Sequence, residues 1–162
     1  MPNTIDALIN RAKQEIDSGD INVAKEILLP LVGQKNPAAM LLYATVSADL
    51  NESNEEFEAR SISLIQEAAG LGYEPAIYEL AVCYMQGDRI HQAPELASSL
   101  LQSLAENGYS RAKLDHGLDL YYGSNGIQKD QQRGLDFIRQ AVMEKVDGAK
   151  NVLKELDKPA RI

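Results

Sequence analysis

An all-helical chain built from repeated helix pairs is predicted by three observations. Residues 72 to 76, Gly-Tyr-Glu-Pro-Ala, reappear 36 positions later as Gly108, Tyr109, Ser110, Arg111 and Ala112. The echo continues through Ile65 and Leu101, Ala69 and Ala105, Ala81 and Gly117, and Gly87 and Gly123, and a first copy joins at an offset of 37 through Ala39, Ala44 and Ser47. Apolar residues recur at spacings of three and four with little strict alternation, and Pro and Gly stand where helices start and stop. A repeat array places function on a shared surface instead of in one catalytic pocket.

The elements follow in order. The first helix spans about residues 4 to 18, with Ile5, Leu8, Ile9, Ala12 and Ile16 on one face, Asn3 or Thr4 as N-cap and Gly19 as stop. Asp20 is expected to cap the second helix, which runs through Val23, Ala24, Ile27 and Leu28 and must bend or end at Pro30, where the backbone donor is missing, with Gly33 closing the segment. Pro37 suits the first turn of a helix reaching about Leu50. After a polar loop its partner starts at Ser53 or Asn54, with Glu55 and Glu56 favourable to the helix dipole, and ends near Gly70 and Gly72. Pro75 opens a helix that stops at Gly87; Pro94 starts the next, which Asn107-Gly108 ends in the manner of a glycine cap. The third pair covers about 110 to 122 and 130 to 144, joined by a Gly-Ser-Asn-Gly turn, one apolar anchor at Ile127 and a capping Asp130. A last helix, roughly 147 to 156, has the polar outer side that the end of a stack needs, and the tail from Asp157 to Ile162 is expected to fray.

In the third unit Ala112, Gly117, Tyr121, Gly123, Gly126, Ile127, Asp130, Gly134, Leu135 and Ala141 together resemble the Sel-one-like repeat, a longer-looped relative of the tetratricopeptide repeat. The second unit keeps Ala76, Leu80-Ala81, Tyr84, Gly87, Ala105 and Gly108, and the first keeps Ala39, Tyr43-Ala44, Ala68-Ala69 and Gly72. Three departures stand out: Asp88-Arg89-Ile90 in place of a second turn glycine, His116 for the usual Leu, and Gly134 for the usual Ala. The resemblance covers about residues 37 to 149, while 1 to 36 look tetratricopeptide-like without the long turn. It implies a right-handed α-solenoid of antiparallel helix pairs, about four pairs plus a C-terminal capping helix, with the first helix of each pair lining a concave face. The expected organisation is one domain: an N-terminal pair (1-36), repeats at 37-73, 74-109 and 110-146, and a capping helix with tail (147-162).

Composition narrows the function classes. With 162 residues of which 44% are hydrophobic, the chain needs neither disulfides nor metal to fold. Cys83, the single cysteine, lies between Val82 and Tyr84 and reads as a small buried hydrophobe. The N-terminus lacks a basic region followed by an apolar run, and no segment has the length of a membrane helix, so a soluble, cytoplasmic protein is expected. Net charge is −8, concentrated in residues 37 to 110, which hold 11 acidic and 2 basic side chains. An acidic middle argues against nucleic acid, whose phosphates need a cationic face.

No catalytic or metal motif is visible. His91 and His116 have no His/Cys/Asp cluster at ligand spacing, and His116 reads as a hydrogen-bonded structural histidine. Asp115 and Asp119, four apart, read as a wet helix surface. Gly123 and Gly126 lack the Lys-Ser/Thr that would follow a phosphate cradle. No cofactor is implied.

The repeat period aligns Tyr78, Val82 and Met85 with Leu114, Leu118 and Tyr121, each set along one side of a helix. Leu114 and Leu118 lean toward the inter-repeat core. With Glu79, Asp115, Asp119 and Tyr122 beside it, this strip gives the candidate partner-binding residues: Tyr78, Glu79, Val82, Met85, Asp115, Leu118, Asp119, Tyr121 and Tyr122. The expected function is a non-enzymatic protein-binding module. The resemblance implies an adaptor or, among short bacterial members, an immunity protein that neutralises a cognate toxin, here a basic toxin or effector. Cysteine-rich secreted relatives associated with β-lactam binding or hydrolysis staple each repeat with a cysteine pair, which this chain lacks. Self-assembly through exposed end helices is a further alternative.

Overall fold

A computed structural model of the chain describes residues 4 to 158, and among them nine α-helices and no strand. They are α1 (Ile5–Ser18), α2 (Ile21–Gly33), α3 (Pro37–Tyr43), α4 (Asn54–Gly70), α5 (Glu74–Gln86), α6 (Pro94–Glu106), α7 (Ser110–Tyr122), α8 (Gln131–Met143) and α9 (Ala149–Leu156). The helices form two compact units, divided between Leu80 and Ala81, so that α5 belongs in part to each. In the first unit α1 packs on α2, α2 on α3 and α3 on α4; in the second, α6, α7, α8 and α9 pack in sequence.

In the first unit Ala12 of α1, Leu28 and Leu31 of α2, and Ala39 and Tyr43 of α3 form one buried cluster, while Met40, Ala68 and Ala76 form a second. Thr4 caps α1 by accepting from the Ala7 amide at 3.3 Å, and Gly19 ends it in the left-handed region at φ 90°. The alternative cap, Asn3, lies outside the described residues, as does the tail from residue 159. Ile5, expected on the buried face, is instead 46% exposed at the open end of α1.

Helix α2 runs through Pro30 and closes at Gly33 as expected, with Pro30 on the exposed side and its carbonyl accepting from the Gln34 amide at 3.2 Å. Two expectations change here. Asp20 occupies the N-cap position, but its side chain makes no capping bond. The helix from Pro37 stops at Tyr43, one to two turns early. Its carbonyls find side-chain donors instead: Arg60 donates to Tyr43 O at 3.3 Å and to Val46 O at 2.7 Å, Ser61 to Ala44 O at 2.7 Å, and Lys25 to Ala48 O at 2.7 Å. With these groups satisfied, residues 44 to 53 hold an irregular path without the helical ladder.

Arg60 is the centre of that arrangement. It meets Glu52 with two bonds, 2.6 Å from Nε and 3.0 Å from Nη2, and its guanidinium lies 4.8 Å from the Tyr43 ring and 5.5 Å from that of Phe57. The Arg60 hydrogen bond holds the Glu52 carboxyl below its ordinary value, and Glu52 in turn raises the pKa of Arg60. A bidentate pair of this kind fixes direction as well as distance. At the start of α4, Ser53 and Glu56 form a reciprocal capping box.

In the second unit α7 packs against α6 and α8, and α9 closes on α8. The α7–α8 crossing is set by two absent side chains. A Cβ on Gly134 would stand 2.6 Å from the Gly117 carbonyl oxygen and 2.7 Å from the Tyr121 amide nitrogen; one on Gly117 would stand 2.8 Å from Ile138 Cγ1. The helices therefore meet backbone to backbone. The turns repeat as well: Gly87 and Gly123 adopt φ 72° and 73°. Arg89 and Asn125, 36 positions apart, also share the left-handed region at φ 61° and 52°, a conformation in which a Cβ is crowded.

Candidate interaction surface

Helix α7 has two unlike sides. Ala112, Lys113, His116, Gly117, Asp119 and Leu120 are buried, whereas Leu114, Asp115, Leu118 and Tyr121 are half-buried and Tyr122 is 60% exposed. The second set recurs at spacings of three and four, which makes it a stripe along the helix. Tyr121 and Tyr122 stand edge to face with centroids 5.0 Å apart, so the stripe ends in a paired aromatic surface. On α5, Tyr78, Glu79, Val82 and Met85 are all half-buried; Tyr78 and Glu79 fall in the first unit, Val82 and Met85 in the second.

Asp119 leaves the candidate set. Its carboxylate accepts from Ser98 on α6, from Ser124 Oγ at 2.7 Å and from Asn125 Nδ2 at 2.8 Å, and its backbone carbonyl takes the amides of Gly123 and Ser124. The residue is 6% exposed. It ties α6, α7 and the 123–126 turn together and does not share a wet face with Asp115. A partner could reach this carboxylate only by displacing bonds that a buried charge requires. The same bonds account for the glycine turn: its first two amides are spent on Asp119, and the Asp130 amide on Leu120 O at 2.8 Å.

His116 is also corrected. It is 1% exposed, and neither ring nitrogen has a hydrogen-bond partner among the described residues. Its ring packs edge-on against Phe137 at 5.2 Å. Burial lowers its pKa, against the weaker pull of Glu106 and Asp119, with Arg133 adding to the lowering. An imidazole has replaced the aliphatic side chain of the repeat pattern without acquiring polar partners.

Lys113, another buried charge of α7, reaches Glu144 just past the end of α8; the contact, followed by a bond from Ser110, holds the Glu144 carboxyl low. Cys83 is buried. Among the described residues no group of three His, Cys, Asp or Glu side chains is placed to hold a metal ion, and no helix is long and apolar enough to cross a membrane.

Sequence reasoning passed over Ser98, the partner that decides the role of Asp119. A serine inside the apolar pattern Leu96-Ala97-Leu100-Leu101 was the available signal for a buried polar contact.

No family model and no curated protein matches the sequence. Solved structures do match. A Sel1 repeat protein from Oxalobacter formigenes superposes with a TM-score of 0.63 at 18% identity, covering 74% of this chain and 89% of the other. A protective antigen present in uropathogenic Escherichia coli strains, displaying an SLR fold, gives 0.61 at 22% identity over 88% of this chain and 27% of its own length. The chain thus has the Sel1-like repeat fold, an all-α solenoid of helix pairs, as the turn and small-residue pattern implied.

Proposed function

We propose that this chain is a non-catalytic protein-binding module and that the stripe Asp115, Leu118, Tyr121 and Tyr122 of α7, with Val82 and Met85 of α5 in the same unit, receives its partner. The observation that carries this reading is the two-sided construction of α7. One side is fixed by Asp119, Lys113 and the glycine crossing, and the other presents aliphatic and tyrosine side chains beside a carboxylate. Aromatic residues on a rigid support are the usual anchors of protein interfaces, because they bury large area for little lost freedom. The acidic balance of the chain favours a basic partner, and a cytoplasmic immunity protein acting on a basic toxin is the narrower form of the proposal. The repeat fold supports the general reading.

The test compares wild type with the Leu118→Ala, Tyr122→Ala double variant in affinity capture followed by quantitative mass spectrometry, and then measures binding of the purified captured protein. Loss of at least about tenfold in affinity is expected for two interface anchors. A variant that melts like wild type and retains the same partner at the same affinity would refute the assignment.

A further inference from the structure

The first unit holds a groove of about 590 Å³ that none of the α5 and α7 candidates lines. It lies between the α1–α2 turn and the irregular segment 44–53. Ile16, Ile21 and Val46 supply apolar lining, and Leu50 stands at its edge with its side chain wholly exposed. A fully exposed leucine on a loose loop would mean little. This loop is held from two sides, by Arg60 on Val46 O and Lys25 on Ala48 O, while the Ala48 amide donates to Glu52 at 2.7 Å. Leu50 is therefore presented by an anchored backbone, which lowers the ordering cost of binding.

Charge selects the occupant. Asp20 and Asp49 border the groove. Asp20 stands at a helix N-cap yet makes no capping bond, so its carboxylate is not committed to the helix. The one groove cation, Lys25, is turned onto the Ala48 carbonyl. The surroundings reinforce this: residues 1 to 80 carry 13 acidic and 5 basic side chains, whereas residues 81 to 162 carry 11 of each. The whole net charge of −8 thus belongs to the part of the chain that contains the groove.

We propose that this groove is a second docking site, for a segment of a basic protein that presents an aliphatic side chain next to a lysine or arginine. The aliphatic group would sit against Ile21, Val46 and Leu50, and the cation between Asp20 and Asp49. The proposal rests on the reading of the chain as a protein-binding module, but it uses a different surface.

The experiment uses three fluorescein-labelled synthetic peptides with the full chain: an amphipathic lysine/leucine helix, its counterpart with glutamate for lysine, and its counterpart with glutamine for leucine. The lysine/leucine peptide is expected to bind saturably, and the other two at least about tenfold more weakly. Leu50→Ser should weaken the first peptide by about tenfold, the factor that follows from losing roughly one buried aliphatic contact. Asp20→Asn should weaken it a few-fold, an effect that fades with added salt. Tyr122→Ala should leave it unchanged, so failure of the α7 assignment and failure of the groove are read separately. Equal binding of the glutamine-containing peptide, or full affinity in Leu50→Ser, would overturn the proposal. So would self-association of the chain that Leu50→Ser abolishes, which would make a second copy the occupant.

Discussion

Replacing Gly134 by Ala should destabilise the protein, although helix propensity and the repeat pattern both favour alanine there. Gly134 lies within α8, where Ala is ordinarily the better helix former by about 1 kcal/mol. The added Cβ would stand 2.6 Å from Gly117 O, 2.7 Å from Tyr121 N and 3.0 Å from Tyr121 Cα. All three are backbone atoms of α7, so no rotamer change relieves the contact; the helices must separate by several tenths of an ångström and loosen the packing of Ile138 and Phe137. Overpacking of this kind costs about 1–3 kcal/mol, and a contact with rigid backbone belongs at the upper end. Subtracting the propensity gain leaves a loss of about 2 kcal/mol, or roughly 4–8 °C in Tm for a chain of this size. Differential scanning calorimetry measures it. Gly70→Ala is the control, because a Cβ at the end of α4 meets nothing within 4 Å and should leave Tm equal or higher. If Gly134→Ala melts at or above wild type, the close crossing of α7 and α8 is wrong.

Two further outcomes follow from the buried polar groups. His116→Leu should raise stability at neutral pH by about 1–3 kcal/mol, since two unpartnered buried nitrogens are removed. Burial lowers the folded-state pKa of His116, so as pH falls through its ordinary 6.5 the unfolded chain takes up the proton first. Wild-type stability should therefore decline below 6.5 with a slope of up to about 1.4 kcal/mol per pH unit, and the variant should lack that component in urea titrations at pH 7.5 and 5.5. Asp119→Ala should cost about 3 kcal/mol and open the 123–126 turn to proteolysis, because three donors lose their acceptor. Unchanged melting and an intact turn would return Asp119 to the surface.

What the sequence disclosed was set by residues whose function is local. Gly87 and Gly123 recur because the turn needs φ near 72°, and Ala39, Ala76 and Ala112 recur because each is fully buried. Such positions admit few residue types, so their spacing survives in the letters. The early stop of α3 was not legible, because its carbonyls are satisfied from Arg60 and Ser61, 14 to 17 residues away, by bonds that no local pattern announces. Asp115 and Asp119 look alike as a pair four apart; Ser98, 21 residues earlier, together with Ser124 and Asn125 of the turn, separates the buried carboxylate from the half-buried one. His116 was recognisable as a core position, but the missing hydrogen bonds depend on which neighbours surround the ring. The candidate stripe was visible in outline from helical spacing, whereas the groove beside Leu50 depends on a loop path that periodicity does not encode.

The contact between Gly117 and Gly134 has an inheritance of its own. Because each residue's missing side chain is the space that the other's backbone occupies, neither can vary alone, and a larger residue at one site becomes tolerable only after the helices have already shifted for another reason. Descendants of this sequence can exchange most of the surface of α7 and so acquire new partners, while the axis on which that surface turns stays fixed by two residues that bind nothing.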